Sequence, residues 1–93
     1  MNYYKVRMNY IPDYNDEKGI CMNLLLVEDD LNLGKILKRQ MEDHGITVTL
    51  RTTGKQGTEL IYSGADIDIM VLDWMLPDMS GLDILNQLYF DKI

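Results

Sequence analysis

An α/β fold, a parallel sheet with helices on both faces, is what this 93-residue sequence predicts. Three observations carry that expectation. Short apolar runs alternate with stretches of helical spacing, in the order strand, helix, strand, helix, strand, helix. Such alternation implies right-handed crossovers, and hence parallel strands covered on both sides. Two of the apolar runs also end abruptly in acid, at Glu28-Asp29-Asp30 and at Asp73. Ligands of open α/β sheets bind at the carboxyl ends of strands, so the acids fall where a site would be.

The elements follow in chain order. Residues 1–21, "MNYYKVRMNYIPDYNDEKGIC", hold four of the six tyrosines and show neither helical nor strand periodicity. Tyr3, Tyr4, Tyr10 and Tyr14 therefore read as a disordered segment before they read as a sticky patch. Order begins at Met22. "NLLLV" (23–27) is a buried-strand run closed by the acidic triplet. Leu33, Ile36, Leu37 and Met41 then keep helical spacing, with Lys35, Lys38 and Arg39 on the wet face. Acids at its start and His44-Gly45 at its end suit the helix dipole and a C-terminal stop.

"ITVTL" (46–50) sets Ile46, Val48 and Leu50 against Thr47 and Thr49, a strand with one polar face or an exposed edge. Thr52-Thr53-Gly54 reads as a loop, and Leu60 and Ile61 fit a short helix ending near Ser63-Gly64. Ile67–Leu72 is the third strand. Pro77 and Ser80-Gly81 punctuate a loop, after which "LDILNQLYF" (82–90) forms the last helix.

Composition excludes several functions. Fifteen Asp+Glu against nine Lys+Arg give a net charge of -6, which argues against this chain gripping nucleic acid or an anionic membrane by itself. The same charge is compatible with binding a cation. The single Cys21 excludes an internal disulfide. No apolar run approaches the ~18 residues of a membrane span, and no signal-peptide core is visible. A cytoplasmic protein is the expectation.

If the two acid-ended strands are neighbours, three or four carboxylates converge in one cleft. Like charges at close range raise one another's pKa unless a cation sits among them. A hard divalent ion such as Mg²⁺ suits an all-oxygen donor set. The strand-end carboxylate could then attack phosphorus, with the protein mainly positioning the partners. The plain alternative is helix capping, which suits Asp30 and leaves Asp29 open. Asp73 differs, because Trp74-Met75-Leu76-Pro77 does not read as a helix start.

On these residues the sequence resembles a known family. From Met22 to Ile93 it is similar to the first three βα units of a response regulator receiver domain, the phosphoacceptor module of two-component phosphorelay signalling. The matching stretches are "LLLVEDD", "GKQGTEL" and "DIMVLDWMLPDMSGLDIL". The form "LDWMLP" resembles the subclass that carries a winged-helix DNA-binding output domain. What the resemblance implies is a flavodoxin-like doubly wound parallel sheet of order 2-1-3-4-5, with only its first three βα units present.

By position, the resemblance makes Asp73 the phosphoacceptor, taking a phosphoryl group from a sensor histidine kinase with Mg²⁺ as cofactor. Glu28 and Asp29 match the acidic pair that holds the ion, Asp29 directly and Glu28 through water. Asp73 itself and the backbone carbonyl of Met75 complete the implied metal set. Asp30 falls outside the pair and caps the helix. Pro77 and Gly81 match the family's loop, where Pro stiffens the segment and Gly permits the turn into the next helix.

A complete receiver needs roughly 110–130 residues, and Ile93 comes 20 residues after Asp73. The resemblance places the switch Ser/Thr and the phosphate-binding Lys beyond residue 93, and Lys92, in the last helix, does not replace that lysine. Without it, slow or absent phosphorylation is expected. The third strand is expected to expose a hydrophobic edge, open to aggregation or to pairing with another receiver. One sheet face is expected to be half covered.

The N-terminal segment carries its own expectation. Glu17-Lys18-Gly19 must be encoded by GAR-AAR-GGN, a purine run two codons upstream of the Met22 codon. That is where a bacterial ribosome-binding site would lie. Residues 1–21 are therefore read as translated leader outside the domain, and 22–93 as the N-terminal part of a receiver; the alternative is a genuine flexible extension.

Three functions remain in order. The first is a signalling receiver, a transfer domain rather than an enzyme. The second is a truncated, non-signalling receiver fragment. The third is a Mg²⁺-dependent phosphohydrolase with an aspartate nucleophile, disfavoured because such enzymes repeat an Asp two residues later, where this chain has Met75. The other single residues have plain readings. His44 is a surface residue, Met70 core, and Met75 and Met79 loop packing. Lys35, Lys38 and Arg39 are a solvated helix face.

Overall fold

The computed structural model describes residues 2–5 and 22–91. Its elements are β1 (Asn2–Lys5), β2 (Asn23–Val27), α1 (Leu31–Asp43), β3 (Thr47–Arg51), α2 (Gly54–Tyr62), β4 (Ile69–Leu72) and α3 (Gly81–Phe90). One four-stranded sheet runs in the order β1-β4-β2-β3. β2 pairs in parallel with β3 and with β4. The three strands read from the sequence thus form the expected parallel set, in the flavodoxin-like order of a doubly wound sheet.

β2 is central because its sequence tolerates burial on both sides: Leu24, Leu25, Leu26 and Val27 are all buried. Successive side chains alternate between the faces. Leu25 and Val27 join Met70 and Leu72 of β4 under Ile61 of α2 and Ile84 and Leu88 of α3. Leu24 and Leu26 join Val48 of β3 on the opposite face, where Leu37 and Met41 of α1 pack. Met70 is core, as read.

Several boundaries and faces differ from the sequence reading. The third parallel strand starts at Ile69, and Ile67 is buried just ahead of it. Gly54 opens α2 instead of ending a loop, because Thr53 caps the helix by accepting from the Gln56 N–H. In α1, Leu33 and Ile36 are exposed, whereas Gly34 is buried. A Cβ on Gly34 would lie 2.8 Å from Leu50 Cδ1, so α1 approaches β3 closely at this position. The contact stripe therefore runs through Gly34, Leu37 and Met41.

The free edge expected on the third parallel strand is covered. β1 lies antiparallel along β4, from Asn2 opposite Leu72 to Lys5 opposite Ile69. Backbone pairing there requires no periodic side-chain pattern, which is why residues 2–5 gave no strand signal. Tyr10, Tyr14, Cys21, the Glu17-Lys18-Gly19 run and Lys92 lie outside the described residues. Among the described residues no helix is long and apolar enough to cross a membrane.

Candidate functional site

The two acid-ended strands are adjacent, and their ladders continue one residue past each end. The Glu28 N–H donates to the Arg51 carbonyl at 2.9 Å, and the Asp73 N–H to the Val27 carbonyl at 3.1 Å. Both acids are thereby anchored by backbone at the carboxyl edge of the sheet, beside the point where chain order reverses around β2. Carboxylate oxygens of Glu28, Asp29 and Asp73 all lie within 4.8 Å of one another. These are the three carboxylates singled out from the sequence.

They do not sit in equal surroundings. Glu28 is buried at 4% exposure, Asp73 is half-buried and Asp29 is exposed. Burial pushes the Glu28 carboxyl above its usual range. A bond from the Asp30 N–H, 3.1 Å from Glu28 Oε1, works against that shift, while the charges of Asp73 and Asp29 add to it. A buried carboxyl beside two like charges is the setting a divalent cation relieves. The three carboxylates offer only oxygen donors, all within 4.8 Å of one another, so the residues fit a hard divalent ion.

Asp30 stands apart from the cluster. It is the N-cap of α1, its side chain accepting from the Leu33 N–H at 3.1 Å. His44 ends the same helix at the surface, and Gly45 follows at φ 85. Both match the expected cap and stop.

Asp73 opens a loop folded on itself. The Gly81 N–H donates to the Trp74 carbonyl at 2.8 Å, and the Leu76 N–H to the Met79 carbonyl at 3.2 Å. Met75 lies between those two closures, opposite Ser80. Its side chain is 71% exposed, contrary to the expected packing role, while Met79 does pack against the core. The pleat explains Met75: with its backbone in the bridge, the side chain has no neighbouring element to lean on. Gly81 is required where it stands, since a Cβ there would meet the Asp73 carbonyl oxygen at 3.0 Å. Ser80 then starts α3 with a reciprocal capping box to Asp83.

One residue of this loop escaped the sequence reading. Asp78, at the loop tip, accepts from the N–H groups of Gly54 and Lys55 at the start of α2, each at 2.8 Å. Its donors lie 24 and 23 residues earlier, so no local spacing could have revealed them.

Comparison with known proteins agrees with this fold. The family model described as the response regulator receiver domain matches residues 24–92. The transcriptional regulatory protein QseB of Escherichia coli O157:H7 is 42% identical over 66 residues, covering 71% of this chain and 30% of QseB. The response regulator SaeR of Staphylococcus aureus (strain USA300) is 38% identical over 71 residues, 76% of this chain and 30% of SaeR. The chain thus spans 30% of the length of each of these relatives. Among solved structures, the receiver domain of the Francisella response regulator 1452 superposes with a TM-score of 0.74 at 30% identity, over 77% of this chain and 59% of that one. Sequence and topology converge, and the chain belongs to the response regulator receiver domain family.

Proposed function

We propose that this chain acts in phosphorelay signalling by accepting a phosphoryl group on Asp73 from the phosphohistidine of a sensor histidine kinase. The observation that carries the reading is the convergence of Glu28, Asp29 and Asp73 at the ends of two adjacent parallel strands. An oxygen of the Asp73 carboxylate attacks phosphorus, the phosphorus–nitrogen bond breaks, and the imidazole leaves with the electron pair. Glu28 and Asp29, with Asp73 and the Met75 carbonyl, would hold Mg²⁺. The bound ion would neutralise charge on the phosphoryl oxygens. Asp73 suits the nucleophile's place because β2 fixes its backbone while its side chain stays half open to a donor.

The chain is then a transfer domain and not an independent enzyme. By likeness to relatives named as a transcriptional regulatory protein and a response regulator, we infer a transcriptional output carried outside these residues, of winged-helix type. Direct DNA contact by this acidic portion is not part of the reading.

The test is intact-mass analysis after incubation with a small-molecule phosphodonor and Mg²⁺. A gain of one phosphate, absent in Asp73→Asn and without Mg²⁺, is the expected result. No gain at any time would favour the alternative, a non-signalling receiver portion. Gain that persists in Asp73→Asn would sink the assignment of the acceptor.

A further inference from the structure

We propose that Asp78 is a positioning residue for the acidic site, tying the loop after Asp73 to the first turn of α2 and so fixing the loop backbone beside the carboxylates. The inference rests on the cation reading above, because that is the site whose geometry Asp78 would set.

The tether is complete on the helix side. A helix leaves its first N–H groups without intrahelical partners. In α2, the first regular helical bond runs from the Gly57 N–H to the Thr53 carbonyl, and of the N–H groups before it Thr53 answers one, taking the Gln56 N–H on its side chain. The two that remain, from Gly54 and Lys55, go to the two oxygens of Asp78. Bonds of this kind to an ionised carboxylate are shorter and stronger than neutral ones. The donors outweigh the desolvation of Asp78 and hold its carboxyl below the usual range, so the anion is the bonded form.

The seat is tight as well as polar. A Cβ on Gly54 would lie 2.4 Å from Met79 Cγ, so the loop rests directly on the helix backbone. On the loop side, the Trp74–Gly81 and Leu76–Met79 bonds make residues 74–81 a closed unit. Holding its tip therefore holds its stem, where Asp73 and the Met75 carbonyl lie. Asp78 itself is exposed and adds nothing to the core. Its two bonds cross between elements, and a one-ångström drift of a supporting group is enough to loosen a site.

The experiment is a Mg²⁺ titration of the full chain, read by the emission of Trp74, its only tryptophan and the neighbour of Asp73. Asp78→Ala should retain the amplitude of the response and raise the half-saturating Mg²⁺ about tenfold. Asp78→Asn, with one acceptor oxygen left, should recover part of that loss. Thr53→Ala loosens the same helix end without touching the tether, and should leave the midpoint unchanged. An unmoved midpoint in Asp78→Ala overturns the proposal. So does an equal shift in Thr53→Ala, which would assign the effect to α2 stability alone. Should Asp78→Ala fail to fold by circular dichroism, the midpoint of Asp78→Asn decides by the same criterion. An unaltered chain that ignores Mg²⁺ removes the cation reading together with this inference, whereas the other negative results remove the inference alone.

Discussion

The two faces of the sheet are packed to different depths. Under α2 and α3, Leu25, Val27, Met70, Leu72 and Ile84 are essentially inaccessible. Under α1, only Leu24, Leu26 and Val48 are fully buried, and Ile69 and Val71 of β4 are half covered. Strand β4 makes the contrast clean, since its residues alternate between the faces and its composition is apolar on both. Cover, not composition, makes the difference. The site loop grows from the well-packed side: β4 leads into it, α3 leads out of it, and the N-terminus of α2 receives its tip. Rigidity is concentrated where a charged cluster must be held still.

Neighbouring truncations in β4 should show that contrast most strongly. Met70→Ala, under α2 and α3, should cost about 3 kcal/mol, whereas Ile69→Ala, on the half-covered face, should cost about 1 kcal/mol. Urea unfolding of both variants measures the difference, with the slope checked for constancy. Equal losses would mean that the α1 face is better packed than its exposure indicates.

A pair of glycines sharpens the point by adding atoms. A Cβ on Gly57 of α2 would meet Val27 Cγ2 at 2.8 Å, and one on Gly34 of α1 would meet Leu50 Cδ1 at the same distance. Val27 is fully buried and stiff at its branched carbon, so Gly57→Ala should destabilise by about 2 kcal/mol. Leu50 is half-buried and can turn away. The better helix propensity of alanine, about 1 kcal/mol, should then leave Gly34→Ala near neutral. Thermal unfolding midpoints distinguish them, and a large loss in both would show the α1 face to be equally unyielding.

What could be read from the sequence follows from where each signal resides. β2 was legible because burial on both faces demands a continuous apolar run, and "NLLLV" supplies one. The carboxylates were legible because they stand at strand ends, where apolar sequence turns acidic within one residue. Gly34 misled the reading of α1, since periodicity counts large side chains and a glycine contact works by having none. β1 was invisible for a related reason: it joins the sheet through backbone groups that every residue carries. Asp78 was missed because its partners are distant in sequence and close only in the fold.

The smallest expected effect separates two carboxylates by the sign of their linkage to pH. Glu28 is raised above its usual 4.5, chiefly by burial. Folding therefore favours its protonated form, and that contribution is fully present below pH 4.5 and lost as pH rises through the folded value. Asp78 is lowered from 3.8, its desolvation being outweighed by the Lys55 and Gly54 N–H bonds. Its contribution is present above pH 3.8 and lost as pH falls through the folded value. Melting curves of the cation-free chain should accordingly gain stability at neutral pH in Glu28→Gln, and lose part of the acid-side slope in Asp78→Asn. Saturating Mg²⁺ should then erase the Glu28 effect while leaving that of Asp78, because only Glu28 carries charge that the ion would neutralise. If Mg²⁺ altered both slopes alike, the ion would be acting through general screening, and the distinction between a ligand carboxylate and a tethering one would fail.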